Sequence, residues 1–183
     1  MKDKVHFIDC GANVGQTVRW VLGEYRDRLC RIDSFEPQTE NFKVLEERYA
    51  GKEKVFLNQK AVWTEDGEKI FFLQNWGART GSSLVRGKSS TSQKTIEKVE
   101  CIDLARWIRE NTIAENYNIL KLDVEGAEYD IIPHLLEMNI HNIIDEWCIE
   151  FHGSVKTPNY DPDVITNIKK YAKKIVDWGE GLK

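Results

Sequence analysis

The chain has few of the residues that build disulfide scaffolds, zinc ribbons or membrane spans. Its four cysteines, Cys10, Cys30, Cys101 and Cys148, are widely spaced and form no Cys-x-x-Cys pair, which argues against a zinc or thioredoxin-like motif. No apolar run approaches the roughly 18 residues that span a bilayer. We expect no signal peptide, because the first residues lead directly into the first predicted strand. We therefore expect a soluble, cytoplasmic protein with reduced thiols and no membrane partner.

The chain also lacks a large excess of positive or negative charge. The 183 residues include 26 Lys and Arg against 30 Asp and Glu, for a net charge of −4. A chain with this balance is not drawn as a whole to nucleic acid or to an anionic membrane. The length predicts one domain over residues 1–183, and the 41% apolar content is enough for its core.

Strand-like and helix-like segments alternate along the chain, which predicts an α/β fold with a doubly wound, mostly parallel sheet. We predict strands at 4–9, 31–35, 55–62, 118–124 and 143–151, and helices at 17–25, 38–50, 104–111 and 127–139, with a last helix from 162. Pro133 should kink or restart its helix. An antiparallel excursion around 63–102 should contain strands at 67–73 and 95–102 and a mobile loop at 77–95.

The most informative stretch is residues 6–17, where a short apolar strand runs into Asp9 and a turn with Gly11 and Gly15. A strand, glycine turn and helix in this order bring backbone N–H groups close to a ligand. The pattern is not the Gly-x-Gly-x-x-Gly of dinucleotide oxidoreductases. Because Asp9 would repel a phosphate, we expect a cationic or zwitterionic nucleoside ligand, and S-adenosylmethionine fits.

Polar residues cluster where the predicted strands end, which is where parallel sheets bind ligands. Glu36 ends the second strand, and an acidic residue about 20 positions beyond a glycine turn can accept both ribose hydroxyls of a nucleoside. The alternative is a surface carboxylate that only stabilises the N-terminus of the next helix.

Lys121, Asp123 and Glu125 share one side of the fourth predicted strand if its two-residue period holds. A lysine in an otherwise apolar strand is expected to pair with a carboxylate. This group either contributes to a site or is a buried ion pair that only orders the strand end.

Glu150 and His152 lie two residues apart at the end of the fifth predicted strand. They could act as a general base pair or as ligands for one metal ion; we predict the first and assign no metal ligand. His6, His134 and His141 lack such a context and are expected to be structural. Residues Gly81 to Leu84 form either a flexible lid or an ordinary solvated loop.

In order and spacing these motifs resemble the FkbM-type S-adenosylmethionine-dependent methyltransferases, Rossmann-like class I enzymes. The resemblance spans about residues 5–153 and is carried by segments 7–15, 34–37, 81–84, 99–104, 120–128 and 150–153, together with Asn58 and Ala61. It implies methylation of a hydroxyl on a small molecule or glycan. The implied cofactor contacts are Asp9, Gly11, Asn13, Gly15, Thr17, Glu36, Pro37, Asn58, Ala61 and Asp123.

The same resemblance implies that Asp123, Glu125, Glu150 and His152 face the transferred methyl and the acceptor. We hypothesise that His152 is the base, oriented by Glu150, with Asp123 near the methyl. The chain reaches only a possible sixth strand at 174–178, so the acceptor pocket is expected to be open or completed by a second subunit of a homo-oligomer. The alternatives are an inactive or regulatory cofactor-binding module and a nucleic-acid 2′-O-methyltransferase, against which the net charge of −4 argues.

Overall fold

A computed structural model describes residues 2–74, 80–153 and 157–178. The strands are β1 (Val5–Cys10), β2 (Leu29–Phe35), β3 (Val55–Asn58), β4 (Ala61–Trp63), β5 (Gly67–Gln74), β6 (Thr91–Asp103), β7 (Tyr117–Leu122), β8 (Glu146–Ile149) and β9 (Ile175–Asp177). The helices are α1 (Gln16–Glu24), α2 (Thr39–Tyr49), α3 (Leu104–Asn111), α4 (Glu128–Glu137) and α5 (Pro162–Tyr171). None of the helices in these ranges is long and apolar enough to cross a membrane.

Six of the strands form one parallel sheet in the order β3-β2-β1-β7-β8-β9. The chain order reverses between β1 and β7, which is where a doubly wound sheet opens a crevice for ligands. Asp9 of β1 lies directly opposite Lys121 of β7 in this register. The predicted α/β fold with a mostly parallel sheet is confirmed.

Both faces of the sheet are covered. Val5 and Phe7 of β1 point into one buried cluster, which α1 and α2 complete, while Ile8 and Cys10 point into another, which α3, α4 and α5 complete. Alternation along a single strand therefore supplies both cores, as a strand buried on two sides requires. The carboxyl ends of the central strands remain the accessible edge.

The predicted single strand at 55–62 is wrong. The chain leaves the large sheet at Asn58, whose carbonyl accepts the N–H of Glu36 at 3.1 Å. After Gln59 and Lys60 it enters a second, three-stranded sheet in the order β4-β6-β5. In that sheet β5 and β6 are antiparallel, as predicted for the excursion, but β4 runs parallel to β6.

The predicted mobile loop at 77–95 is also corrected. Residues 75–79 lie outside the described residues, and β6 already begins at Thr91. Between them Ser83 exchanges two backbone hydrogen bonds with Phe72, of 2.8 and 2.9 Å, and is fully buried. Gly81 to Leu84 thus pack against β5 rather than forming a solvated loop.

Pro133 neither ends nor restarts a helix, because α4 is continuous through it. The adjacent Ile131, Ile132 and Leu135 are fully buried, and their packing holds the helix despite the missing N–H. Two helices have side-chain caps at their N-termini: Asp103 accepts the N–H of Arg106 before α3, and Asp161 accepts that of Asp163 before α5. The fourth and fifth predicted strands are shorter than expected, ending at Leu122 and Ile149, and the possible sixth is β9.

Two glycines of the first βα unit provide a matched test of this packing. Gly15 has φ +94°, and an added Cβ would lie 2.3 Å from Cε2 of Tyr49, whereas a Cβ on the exposed helical Gly23 would meet nothing within 4 Å. We expect Gly15→Ala to lower the free energy of unfolding by at least about 1–2 kcal/mol. Gly23→Ala should raise it by about 0.5–1 kcal/mol. Urea unfolding of both variants checks this, and equal effects would contradict the packing of α1 against α2.

Candidate functional site

The turn after β1 is shaped by contacts that only glycine permits. The N–H groups of Gly11 and Ala12 donate to the carbonyl of Phe35 at 3.0 and 2.9 Å. Gly11 has φ +87°, and a Cβ there would lie 1.9 Å from the carbonyl oxygen of Asp123. The turns that follow β1 and β7 therefore touch, and the end of β2 is joined to both.

Glu36 follows β2 and is almost fully buried at 5% exposure. Its carboxylate accepts the backbone N–H of Asn13 and that of Gln38, each at 2.9 Å. Burial raises the pKa of Glu36 to about 7, although the two N–H donors act in the opposite direction. The carboxylate is thus fixed against the glycine turn as a directed acceptor.

A cavity of about 480 Å³ opens at these strand ends. Most of the predicted cofactor contacts line it, namely Gly11, Asn13, Thr17, Glu36, Pro37, Ala61 and Asp123. Three others do not. Asp9 is fully buried beneath the cavity, Gly15 packs against α2, and Asn58 lies at the end of β3 with its backbone bonded to Glu36.

Sequence reasoning missed Gln38 at this cavity. Gln38 is fully buried, lines the cavity, and has an Nε2 atom without a hydrogen-bond partner. Its Oε1 accepts from Asn41, so the amide orientation is defined. A buried donor without a partner is costly unless a ligand satisfies it. The sequence offered no signal, because a glutamine after Glu-Pro is typical of any helix entrance.

Lys121 is the cation of the site and is 1% exposed. Its Nζ lies 3.1 Å from Asp9 Oδ1 and 3.2 Å from Asp123 Oδ2, and it donates to the carbonyl of Gly11 at 2.9 Å. Burial alone would lower the pKa of Lys121, but the two carboxylates outweigh burial and raise it. Burial raises the pKa of Asp9, and Lys121 opposes that shift.

His152, just beyond β8, is surrounded by carboxylates. Its Nε2 lies 3.4 Å from Glu125, 3.6 Å from Glu150 and 3.7 Å from Asp123. Burial lowers the pKa of His152, but the hydrogen bond and charge of Glu128, with Glu125 and Asp123, raise it to about 9. Ligand atoms of Asp123, Glu125 and His152 lie within 4.8 Å of one another, so these three could hold a metal ion.

The structure changes two details of the predicted cluster. The backbone turns after Leu122, and Glu125 has a left-handed φ of 58°, so Glu125 does not continue a strand beside Lys121. Glu125 pairs with Lys88 instead, and Ser83 Oγ donates to its carbonyl at 2.7 Å. The carboxylate on Nδ1 of His152 is Glu128 at 2.9 Å, not Glu150.

The four predicted catalytic residues nevertheless come together. Asp123, Glu125 and Glu150 line the cavity, and His152 lies within 3.7 Å of each of them. Burial, followed by the charge of Asp123, raises the pKa of Glu150. The arrangement can accept a proton and bind a polar group beside a cavity that Glu36 also lines.

The fold and this cavity define a Rossmann-like α/β protein with a cavity at its strand ends. The family model described as the methyltransferase FkbM domain matches residues 9–175. The chain belongs to the FkbM methyltransferase family.

A solved structure agrees in fold. The crystal structure of methyltransferase FkbM from Methylobacillus flagellatus KT superposes with a TM-score of 0.59 at 12% sequence identity, over 94% of this chain. This chain spans 38% of the length of that one. At such identity the likeness shows the fold alone. The comparison with curated proteins found no significant match.

The buried ion group yields a stability prediction. Lys121→Met leaves the carboxylates of Asp9 and Asp123 without their cation, which should cost about 3–5 kcal/mol of unfolding free energy. Lys98→Met removes an exposed pair with Glu68 and should cost less than about 1 kcal/mol. Urea unfolding of the two variants measures the contrast, and a loss below 1 kcal/mol for Lys121→Met would contradict the role given to this cation.

Proposed function

We propose that the protein transfers a methyl group from S-adenosylmethionine to a hydroxyl on a small molecule or glycan. The observation that carries this proposal is the buried carboxylate of Glu36, fixed against the glycine turn in a cavity that Asp123, Glu125 and Glu150, three of the carboxylates around His152, also line. Membership of a methyltransferase family supports the reaction class.

The residues of the cavity fit such a cofactor. Its volume of about 480 Å³ is within the range usual for small-molecule sites. Glu36 would accept the ribose hydroxyls, and the unpartnered Nε2 of Gln38 would find an acceptor. Pro37 and Ala61 would line the base, and the carboxylate of Asp123 would balance the cationic sulfonium.

When bound, the cofactor supplies an electrophilic methyl group that leaves its sulfur and joins the acceptor oxygen. The chain contributes position and proton transfer. Asp123, Glu125 and Glu150 border the cavity and would orient the acceptor hydroxyl, and such alignment is worth up to roughly 7–11 kcal/mol. Nε2 of His152 would take the hydroxyl proton, which adds about 10²–10⁴-fold in rate.

We further propose a cytoplasmic location and no nucleic-acid partner. All four cysteines are free thiols, which suits a reducing compartment. The net charge of −4 gives no general attraction for a phosphate backbone. A homo-oligomer in which a second copy borders the acceptor end remains part of this proposal.

Cofactor binding has a defined pH dependence. The raised pKa of Glu36, about 7, means that its carboxyl is protonated below that pH and loses acceptor strength. Affinity for S-adenosylmethionine, measured by calorimetry, should therefore rise from about pH 6 to about pH 8. Glu36→Gln should weaken binding by at least about tenfold, or about 1.4 kcal/mol, and flatten the pH profile.

Glu47→Gln is the matched control for that experiment, because Glu47 is an exposed carboxylate on the neighbouring α2. It should bind like the wild type. Unchanged affinity of Glu36→Gln for S-adenosylmethionine, or no binding to the wild type, would contradict the cofactor assignment.

The rate should depend on His152 as a base. Because its pKa is raised to about 9, kcat/KM for an acceptor found by screening sugars and small hydroxyl compounds should rise with pH and level off near 9. His152→Gln should lower kcat by about 10²–10⁴-fold. Release of S-adenosylhomocysteine is the readout.

Chelation by EDTA separates this mechanism from one in which Asp123, Glu125 and His152 hold a catalytic metal. We expect the rate to persist in EDTA. Full turnover by His152→Gln, or a rate abolished by EDTA and restored by added metal, would contradict the assignment of His152 as base.

A further inference from the structure

Glu128, the first residue of α4, is a fully buried carboxylate outside the group of predicted site residues. Its Oε1 accepts the N–H of Val124 at 3.0 Å, and its Oε2 accepts the N–H of Gly126 at 2.8 Å. The N-terminus of α4 adds a favourable field for negative charge. Both oxygens of Glu128 are therefore committed as hydrogen-bond acceptors.

The same carboxylate holds the imidazole of the site. Oε1 of Glu128 lies 2.9 Å from Nδ1 of His152. An ionised carboxylate has no proton to donate, so Nδ1 must carry the hydrogen of this bond. The second nitrogen, Nε2, faces the cavity residues Glu125 and Glu150 at 3.4 and 3.6 Å.

We infer that Glu128 is the positioning residue of His152, which fixes the tautomer with hydrogen on Nδ1 and leaves Nε2 as the nitrogen that exchanges a proton with the acceptor. Glu128 differs from Glu150 in burial, since the side chain of Glu128 is 0% exposed and that of Glu150 is 38% exposed. Only the buried group has both oxygens held by the backbone of its own turn. The catalytic consequence depends on the proposed methyl transfer, but the tautomer does not.

The electrostatic surroundings make the effect measurable. Four carboxylates face His152, those of Asp123, Glu125, Glu128 and Glu150. In the part of the chain that the structure describes, two lysines partly balance them, Lys88 on Glu125 and Lys121 on Asp123. Among these groups Glu128 makes the largest contribution to raising the pKa of His152. Loss of its charge should lower that pKa more than the loss of any other carboxylate.

The test is long-range ¹H–¹⁵N NMR of histidine-labelled protein without ligand. In the wild type at about pH 10, above the pKa of about 9, the ring should carry hydrogen on Nδ1. In Glu128→Gln an uncharged amide replaces the carboxylate that holds the hydrogen on Nδ1, so the fraction of rings with hydrogen on Nε2 should rise and the pKa should fall. Wild-type His152 with its hydrogen on Nε2 overturns the inference and requires no variant to fold.

Asp130→Asn is the matched control. Asp130 is a partly buried carboxylate on the same helix, bonded to Asn159 at 2.5 Å rather than to His152. This variant should keep the wild-type tautomer and pKa of His152. Glu150→Gln should also keep the tautomer, and inversion in Glu150→Gln but not in Glu128→Gln would assign the role to Glu150 instead.

Kinetics test the consequence separately. Glu128→Gln should lower kcat by at least about 10²-fold with little change in KM for S-adenosylmethionine, and should move the rising limb of the pH profile to lower pH. Asp130→Asn should do neither. Absence of cofactor binding in the wild type would refute the proposed function while the NMR result still decides the tautomer. An inverted tautomer with an unchanged kcat and pH profile would refute the positioning role in catalysis.

Discussion

The ion group of Lys121, Asp9 and Asp123 is the constraint on which the site depends. A lysine with 1% exposure in the middle of a parallel sheet is tolerable only because two carboxylates and a carbonyl oxygen surround its Nζ. These partners come from both strands at the switch point. The same contacts therefore close the gap between β1 and β7 and fix Asp123 over the glycine turn.

The floor of the cavity follows from this arrangement. Lys121 donates to the carbonyl of Gly11, and the missing Cβ of Gly11 lets its backbone approach Asp123. The N–H groups of the turn then bind Phe35 and Glu36 at the end of β2. Three neighbouring strand ends are thus held together by backbone polar groups. The site is built on rigid elements, which favours a preformed pocket.

The part of the site beside His152 has a larger excess of carboxylates. Among the described residues, four carboxylates face the imidazole of His152, and Lys88 and Lys121 are paired with two of these carboxylates. Such a concentration of negative charge costs stability. It is maintained by Glu128, whose backbone hydrogen bonds hold the turn between β7 and α4.

Local sequence signals were sufficient for the alternation of strands and helices in the large sheet and, to within about two residues, for the ends of its central strands. Gly11, Glu36 and Asp123 could be found because each lies at a fixed place relative to a strand. The division of 55–62 between two sheets could not be predicted, since only pairing with β2 and β6 separates Asn58 from Ala61.

Contacts between segments that are far apart in the sequence could not be predicted either. Glu128 lies 24 positions from His152, and Lys88 lies 37 positions from Glu125. No local pattern marks Glu128 as different from other acidic residues in a first helical turn. Gln38 was missed for the same reason, because only its burial beside the cavity reveals an unpartnered donor.

A crystal structure with S-adenosylhomocysteine tests whether the cavity beside the glycine turn and His152 is a methyl-transfer site. We expect ribose hydroxyls within hydrogen-bond distance of Glu36 and the sulfur on the side of Asp123 that faces His152. A ligand bound elsewhere, or a sulfur directed away from Asp123 and His152, would contradict it.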